Sequence, residues 1–272
     1  MKKRPAVLIA VASALGIAGI AIAASQISDT FADTSKISQS YQLNVDTTAG
    51  QVKLAVWNCG DSFTDYRDGT AYTTVLIGTQ CWMAKNLNYG TRVNGSGNQT
   101  NNGTVEKYCY SDSDANCTTY GGLYQWDEAM DYSSSCNGTG EGSPACASPV
   151  RGICPDGWHI PSHYEYVALE RAVCTSGTCT TDFPYDTSTT GWRGTNEGTS
   201  LKQNGASGFE GLLAGYRDTD GSFSGLGSNG HFWSSLESGS SAWGRSLYSG
   251  NATVYRGTYS KAYGFSIRCL KD

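Results

Sequence analysis

Two of the three histidines in the sequence lie four residues apart, at positions 159 and 163 of the segment CPDGWHIPSHYEYVALE, with Glu165 close by. Histidines at i and i+4 with a neighbouring glutamate are typical of helical zinc sites. Histidine and glutamate are also common general acids and bases in enzymes. The segment is therefore the first candidate for a chemical site.

The residues around His163 favour a structural role instead. Ser162 and Glu165 form the S-x-x-E pattern of a capping box, in which each side chain accepts a hydrogen bond from the other residue's backbone N–H. His159 would then precede the helix and could not share a helical face with His163. The predicted helix would bury an apolar stripe, Tyr166, Leu169 and Val173. We expect a helix start here and no metal site.

Two acidic stretches place oxygen ligands at alternate positions, as calcium-binding loops do. The first is SDSDANC, with Asp112, Asp114 and Asn116, and the second is RDTDGS, with Asp218 and Asp220. The first lacks a glycine at its sixth position, and the second is also a good turn before a strand. The turn interpretation is favoured, and no cofactor is expected.

Sequence motifs of catalysis are absent, since the chain contains no G-x-S-x-G, no H-E-x-x-H and no phosphate-binding loop. With only three histidines, acid or base chemistry would fall on carboxylates whose pairing a sequence does not show. We therefore expect a protein that is not an enzyme.

The first 24 residues have the order of an export signal: the cationic start MKKR, the apolar run AVLIAVASALGIAGIAI and a small-residue site ending at Ala23. An uncleaved anchor is the alternative, because the run approaches the ~20 residues that span a bilayer. Cleavage would leave 16 basic and 24 acidic residues, a net charge of −8. Such an acidic chain disfavours nucleic acid or an anionic membrane as a partner. We expect a secreted or cell-surface protein that meets the membrane only through this segment.

Ten cysteines follow the export signal, and an even number behind such a signal predicts disulfide bonds. No C-x-x-C occurs, which argues against zinc. Three pairs enclose short polar loops: Cys109 with Cys117, Cys136 with Cys146, and Cys174 with Cys179. Spacing does not decide the connectivity of the other four, for which we adopt Cys59 with Cys81 and Cys154 with Cys269.

Strand patterns dominate the rest of the sequence, and predicted helices are few. The predicted strands are SYQLNV (40–45), AYTTVLIG (71–78), GFEGLLAGYR (208–217), HFWSS (231–235), SAWGRSLY (241–248), ATVYRG (252–257) and YGFSIRCL (263–270). Alternating apolar positions and short Gly, Asn and Ser turns predict an antiparallel sheet. In SAWGRSLY, Trp243, Arg245 and Leu247 share one face. Besides the helix after Pro161, YQWDEAM (124–130) is a short helix candidate.

The tail from Leu236 to Tyr263 has the composition of binding loops, since 15 of its 28 residues are Ser, Gly, Tyr or Asn. Tyrosine supplies flat amphipathic contact area at low entropic cost, and the small residues supply adaptable hydrogen bonds. The predicted ligand-binding residues are Gly244, Arg245, Ser246, Tyr248, Tyr255, Gly257, Tyr259 and Tyr263. The alternative is that Tyr and Ser line a solvated sheet face.

Six blocks occur in order along the chain: DYRDGTAYTTVLIGTQCWMAKNLNYG (65–90), GGLYQWDEAM (121–130), CPDGWHIPSHYEY (154–166), GFEGLLAGYRDTDGSF (208–223), FWSS (232–235) and YGFSIRCLKD (263–272). Over roughly residues 59–272 they resemble the Fibrobacter succinogenes major paralogous domain family. Tyr166 stands where that family usually has Trp, and His163 stands at a position that its motif leaves free. The family is found in exported bacterial proteins and has no established biochemical activity.

The ending GFSIRC and the W-H-x-P-S block also look like those of formylglycine-generating-enzyme-type, C-type-lectin-like domains. That resemblance implies an α+β fold with a small twisted antiparallel sheet, one or two short helices and long disulfide-stapled loops that carry the binding surface. In such a fold, Cys154 and Cys269 would tie the domain closed. Formylglycine generation uses a copper-binding cysteine pair, and the predicted disulfides leave no obvious free pair.

These features predict a signal peptide or anchor (1–24), a polar spacer (25–58) and a lectin-like domain (59–272). We expect an adhesin-like protein that binds a carbohydrate or protein ligand through its tail. The alternative is a structural subunit of a bacterial surface layer or filament held by an uncleaved N-terminal helix. Related lectin-like domains are diversified by retroelements, and the corresponding variable positions here would be Gly244, Ser246, Tyr248, Ser249, Gly250, Gly257, Tyr259, Ser260 and Tyr263.

Overall fold

The computed structural model describes residues 41–46, 51–132 and 149–272. These residues fall into two units, which divide after Trp57. The first unit contains two antiparallel strands, β1 (Tyr41–Asp46) and β2 (Gln51–Val56). The sequence predicted a strand at β1 and missed β2, although QVKLAV alternates apolar and other residues as a strand does.

The second unit, Asn58–Asp272, consists mostly of short strands. Its strands are β3 (Phe63–Thr64), β4 (Ala71–Tyr72), β5 (Thr74–Ile77), β6 (Gln80–Met83), β7 (Thr91–Arg92), β8 (Glu106–Lys107), β9 (Trp158–His159), β10 (Gly191–Arg193), β11 (Ala214–Arg217), β12 (Phe223–Leu226), β13 (Asn229–Ser238), β14 (Ser241–Tyr248), β15 (Val254–Ser260) and β16 (Leu270–Lys271). Its α-helices are α1 (Asp114–Tyr120), α2 (Trp126–Ala129), α3 (His163–Val173), α4 (Cys179–Asp182) and α5 (Glu197–Leu201). Many strands and few helices make this an α+β fold, as predicted.

The largest sheet has the strand order β10-β15-β14-β13-β11-β12. Its neighbours are antiparallel except for β11 and β13, which are parallel. Gly239, with φ 62°, lies in the tight turn between β13 and β14, where a left-handed residue matches the twist of the hairpin. The three antiparallel strands β13, β14 and β15 confirm the sheet that the alternating tail sequence predicted.

The last predicted strand, YGFSIRCL (263–270), does not form a continuous strand of this sheet. Only β16 is a strand at this end of the chain, and it pairs with β6 and β9 in a second sheet of order β5-β6-β16-β9. The residues before it form single bridges: Gly264 and Ser266 to Arg217 of β11 and Phe232 of β13 in the large sheet, and Phe265 to Tyr124 outside it. Residues 264–270 are all buried, so their backbone groups find partners on several sides instead of along one neighbouring strand.

Helix α3 begins as the sequence predicted. The Ser162 side chain accepts from the Glu165 backbone N–H at 3.2 Å, and Oε2 of Glu165 accepts from the Ser162 backbone N–H at 2.7 Å. The predicted stripe packs into the main apolar core, with Val173 at its edge. The buried members of that core are Ile77, Trp82, Tyr166, Leu169, Leu201, Phe209, Phe232, Leu247, Val254 and Leu270. The core therefore joins α3 to both sheets.

Four disulfide bonds connect the described cysteines, and all four were predicted. They are Cys59–Cys81, Cys109–Cys117, Cys154–Cys269 and Cys174–Cys179. The predicted Cys136–Cys146 bond and the export signal lie outside the described residues. Disulfide bonds of this number are typical of proteins in an oxidising, extracellular environment. Within the described part of the chain, no helix has the length and apolar character needed to cross a membrane.

Candidate functional site

His159 is held between two carboxylates. Its Nδ1 donates to Oδ1 of Asp272 at 2.7 Å, and its Nε2 donates to Oε1 of Glu165 at 3.0 Å. Burial would lower the pKa of His159, but the hydrogen bonds and charges of these carboxylates outweigh it and raise the pKa. His159 therefore ties α3 to the end of the chain as a charged group.

His163 lies on the other side of the helix start, between two guanidinium groups. Its Nδ1 is 3.3 Å from Nη1 of Arg245, and its Nε2 is 2.8 Å from Nη2 of Arg256. Guanidinium groups only donate, so at least one ring nitrogen must be an unprotonated acceptor and the ring is neutral. Nε2 also lies 2.9 Å from the Asp186 carbonyl oxygen, which can accept the single ring proton. Burial, followed by the charges of the two arginines, lowers the pKa of His163 to about 2. The two histidines have separate structural partners, which is the separation that the capping box predicted.

The two acidic stretches are engaged in local structure. Oδ1 of Asp112 accepts from the Gly95 backbone N–H at 2.8 Å, and Asp114 forms an ion pair with Arg92 at 2.7 Å. Asp220 accepts from both the backbone N–H and the hydroxyl of Ser222, as in a turn. Among residues 41–46, 51–132 and 149–272, no three or more His, Cys, Asp or Glu side chains are grouped as a metal site requires.

A cleft of about 470 Å³ lies away from the tail. It is lined by Arg67, Tyr89, Val105, Met130, Asp131 and residues 149–153. Because the cleft borders residues 133–148, which the structure does not describe, we place no site there.

The tail strands bring most of the predicted tyrosines onto one face of the large sheet. The register places Ser246 of β14 opposite both His231 of β13 and Tyr255 of β15, so these three side chains point the same way. Trp192 of β10 lies opposite Tyr255 and extends the row. We name this surface the tyrosine face: Trp192, Tyr216, Tyr248, Tyr255, Tyr259 and Tyr263, above the Ser246 hydroxyl and the His231 ring.

Two glycines allow the tyrosine rings to lie against the sheet. A Cβ atom at Gly244 would lie 3.3 Å from the Tyr259 ring, and one at Gly257 would lie 2.8 Å from the Tyr255 ring. Gly244 and Gly257 are themselves opposite each other on β14 and β15. Gly244 and Gly257, which were predicted as contact residues, therefore lie beneath the rings and provide the space that the rings occupy.

The rings pack against each other in an edge-to-face pattern. Trp192 contacts Tyr248 and Tyr255 with centroids 5.0 and 5.3 Å apart, and Tyr216 contacts Tyr263 at 6.0 Å. Trp192 is 39% exposed, and the tyrosines of the face are half-buried. Such packing fixes ring orientations before any ligand arrives, which lowers the entropy lost on binding.

A chain of hydrogen bonds runs beneath the rings. The Ser246 hydroxyl lies 2.8 Å from Nδ1 of His231 and 2.6 Å from the Tyr259 hydroxyl. Burial lowers the pKa of His231 to about 3 and raises the pKa of Tyr259. The serine and histidine are close enough for a nucleophile and base, but Ser246 is fully buried and no carboxylate orients the histidine. The arrangement is suited to binding a ligand through rings and hydroxyls.

Arg245 lies on the opposite face of the sheet, against α3. It is 2% exposed and forms a buried ion pair with Glu170. The Arg245 charge is therefore paired with Glu170 inside the protein, and we leave Arg245 out of the contact surface.

The proposed variable positions Ser249, Gly250 and Ser260 are exposed.

Sequence reasoning missed two members of the face, Trp192 and Tyr216, and the His231 ring beneath it. The alternation of HFWSS places His231 and Trp233 opposite to Phe232, and this signal could have indicated that His231 shares the tyrosine side. Trp192 and Tyr216 join the face only because β10 and β11 lie at opposite sides of the tail strands. No local pattern predicts that neighbourhood.

The three histidines should give the protein a marked loss of stability in mild acid. His163 and His231 have folded-state pKa values of about 2 and 3 against an ordinary value of 6.5, so the unfolded chain binds their protons first. Their contribution is complete above pH 6.5 and is lost as the pH falls towards 3. His159, whose pKa is raised, acts in the opposite direction.

Urea unfolding at pH 7.5, 6.5 and 5.5, together with ¹⁵N NMR of the histidine rings, tests this expectation. We expect a lower free energy of unfolding at pH 5.5 than at pH 7.5, with His163 and His231 neutral and His159 protonated at pH 5.5. A free energy that is constant over this range, or protonation of His163 or His231 near pH 6.5, would contradict it.

Comparison with known proteins places the second unit in a described family. The model of the Fibrobacter succinogenes major domain matches residues 75–271 of the chain. This range includes α3, both large sheets and every member of the tyrosine face. No curated protein and no solved structure matches the chain.

Proposed function

Because the chain belongs to the Fibrobacter succinogenes major domain family, and because its tail strands assemble one continuous aromatic surface, we propose that it is an exported, cell-surface protein that binds a ligand through the tyrosine face. The ligand is a carbohydrate or another surface protein. The proposed fold is C-type-lectin-like, with the face on the sheet that the C-terminal strands build. Its role is adhesive and not catalytic.

The composition and pre-organisation of the tyrosine face support this proposal. Tyr and Trp dominate the contact residues of protein binding surfaces, because each buries a large area with few rotatable bonds. Here six such rings lie on one side of a sheet whose other side is the protein core. The tyrosines also carry hydroxyl groups, so the surface combines rings with hydroxyls, and the small buried residues Gly244 and Ser246 support the rings from beneath.

The second unit also supports an extracellular role. The Cys154–Cys269 bond closes a loop of 115 residues around nearly the whole region that carries the face. Disulfides of this kind persist where the environment is oxidising, as it is outside the cell. The four described disulfides therefore agree with export, which the N-terminal sequence predicted.

The double variant Tyr248→Ala/Tyr255→Ala should bind its ligand at least about tenfold more weakly, because truncating a central aromatic contact typically removes 1 kcal/mol or more. Both tyrosines pack on Trp192, so the variant removes the central part of the face. Binding is measured on arrays of glycans and of bacterial surface proteins, followed by titration of the strongest hit.

Tyr66→Ala is the matched control, since Tyr66 is 70% exposed and lies away from the face, with its hydroxyl on Asp156. It should bind as the wild type does. Binding that survives the double variant, or the absence of any ligand on both arrays, would refute the tyrosine face as the site.

A further inference from the structure

The tyrosine face contains one polar atom that the protein leaves unsatisfied. His231 is 4% exposed, and its Nδ1 contacts Ser246, but its Nε2 has no hydrogen-bond partner. A buried polar atom without a partner costs about 1–3 kcal/mol. Nδ1 is fixed towards the sheet, so Nε2, across the ring from it, faces the surrounding tyrosine rings.

Aromatic rings enclose the imidazole on several sides. It stacks on Phe265 with the centroids 4.6 Å apart. Three tyrosines of the face surround it edge-on at 5.1 to 5.9 Å: Tyr216, Tyr248 and Tyr259. Of these, Tyr248 ends β14 immediately before the exposed Ser249 and Gly250. Because Tyr248 is half-buried and adjoins these exposed residues, rotation of its side chain would open a route to Nε2.

Hydrogen bonding limits what that group can be. If Ser246 donates to Nδ1, then Nε2 carries the proton and needs an acceptor; if Nδ1 donates to Ser246, then Nε2 needs a donor. A hydroxyl group satisfies either tautomer, because it both donates and accepts. A carboxylate could satisfy only the first and an ammonium group only the second.

The lack of charge on the tyrosine face also favours an uncharged, hydroxyl-bearing ligand. Its side chains are rings and hydroxyls, and none is charged at neutral pH. Burial raises the pKa of Tyr263, and the charges of Asp218 and Asp220 add to the effect, so the edge of the face is slightly acidic. This disfavours an anionic ligand, and no carboxylate among the members of the face is available to pair with a cationic one.

We propose that the tyrosine face binds a neutral saccharide and that one saccharide hydroxyl hydrogen-bonds to Nε2 of His231. This inference rests on the proposed function and deepens it. A saccharide presents hydroxyl groups around its rim and C–H groups on its ring faces. The hydroxyls match Nε2 of His231 and the tyrosine hydroxyls, and the C–H faces match the rings of Trp192 and Tyr255.

The test compares wild type with His231→Phe on conjugates of glucose, galactose, mannose, xylose and N-acetylglucosamine, with polygalacturonate as an anionic control. We expect wild type to bind at least one neutral conjugate and not polygalacturonate. His231→Phe keeps a flat ring and removes both ring nitrogens, so it should bind at least tenfold more weakly. Its Tm should not fall, because the unsatisfied Nε2 is removed and the Ser246 hydroxyl, which loses Nδ1, keeps its contact with the Tyr259 hydroxyl. Tyr66→Ala should bind like wild type.

Unchanged binding by His231→Phe would overturn the role of His231. A different result is that wild type binds only a protein or only polygalacturonate, with that binding lost in Tyr248→Ala/Tyr255→Ala. This result would refute a neutral saccharide as the ligand and would leave the proposed function in place. If His231→Phe folds poorly, the role of His231 is tested instead by ¹⁵N NMR of the His231 ring in the wild-type protein. The Nε2 signal should shift on saturation with the bound monosaccharide, and a stationary signal would overturn the inference.

Discussion

Replacing Cys154 and Cys269 together by alanine should lower the free energy of unfolding by about 5 kcal/mol, the chain-entropy value for a loop of this length. The bond joins residues 115 positions apart. Cys154 precedes β9, and Cys269 precedes β16, which pairs with β9. Without the bond, the unfolded chain gains the freedom of almost the whole second half of the protein.

Cys174→Ala/Cys179→Ala is the matched control, because it removes a disulfide from the same unit. Its residues are only 5 positions apart. The same chain-entropy relation then gives about 2 kcal/mol. Urea unfolding of both variants and of wild type, at one protein concentration under non-reducing conditions, gives the two differences. Equal destabilisation by the two variants would contradict loop length as the cause.

Features that depend on neighbouring residues were predictable from the sequence. The capping box joins Ser162 to Glu165, only three positions later, and the Cys109–Cys117 and Cys174–Cys179 bonds close short loops. The hairpin of β13 and β14 is encoded by alternation and one tight turn. In each case, the energy that fixes the structure comes from residues that the pattern itself contains.

The burial of Arg268 could not be predicted from its neighbours in the sequence. The alternation of YGFSIRCL separates Arg268 from the apolar Phe265, Ile267 and Cys269, yet its side chain is fully buried. Its guanidinium donates to the side chain of Asn86 at 2.7 Å and to the carbonyl of Met83 at 3.0 Å, more than 180 positions earlier. Burial lowers the pKa of Arg268 to about 9. Such a residue is buried because distant carbonyls surround it, and no local pattern carries that information.

Some features of the candidate site were also predictable from the sequence, and others were not. The composition of the tail indicated Tyr248, Tyr255 and Tyr259, since their abundance is a property of one segment. Their common side depends on strand register, and the contribution of Trp192 depends on the pairing of β10 with β15. Alternation did place Arg245 with Trp243 and Leu247, but only the packing of α3 shows that this side is the interior.

Changing Glu170 to glutamine should destabilise the protein by about 3–5 kcal/mol, the typical effect of removing one partner of a buried ion pair. Glu170 and Arg245 are 0% and 2% exposed, and Nε of Arg245 donates to Oε1 of Glu170. The neighbours provide no replacement, because His163 is neutral and Arg256 carries the same charge. Glutamine keeps the shape of the side chain and leaves the arginine charge uncompensated inside the protein.

The double variant Glu170→Leu/Arg245→Met separates the charge from the packing. It removes both charges and fills the volume with apolar side chains, an exchange that is often neutral or stabilising for buried pairs. We expect its free energy of unfolding to exceed that of Glu170→Gln by at least about 2 kcal/mol. A double variant as unstable as Glu170→Gln would contradict the uncompensated charge as the cause.

The same double variant tests on which face of the sheet the ligand binds. Arg245 and Ser246 are adjacent on β14, yet Arg245 faces α3 and Ser246 faces the tyrosine rings. If the ligand binds to the tyrosine face, a folded protein that lacks Arg245 should bind it as wild type does, and Tyr248→Ala/Tyr255→Ala should not. Loss of binding in a stable Glu170→Leu/Arg245→Met protein would mean that the guanidinium contributes to recognition, as the tail composition alone had suggested.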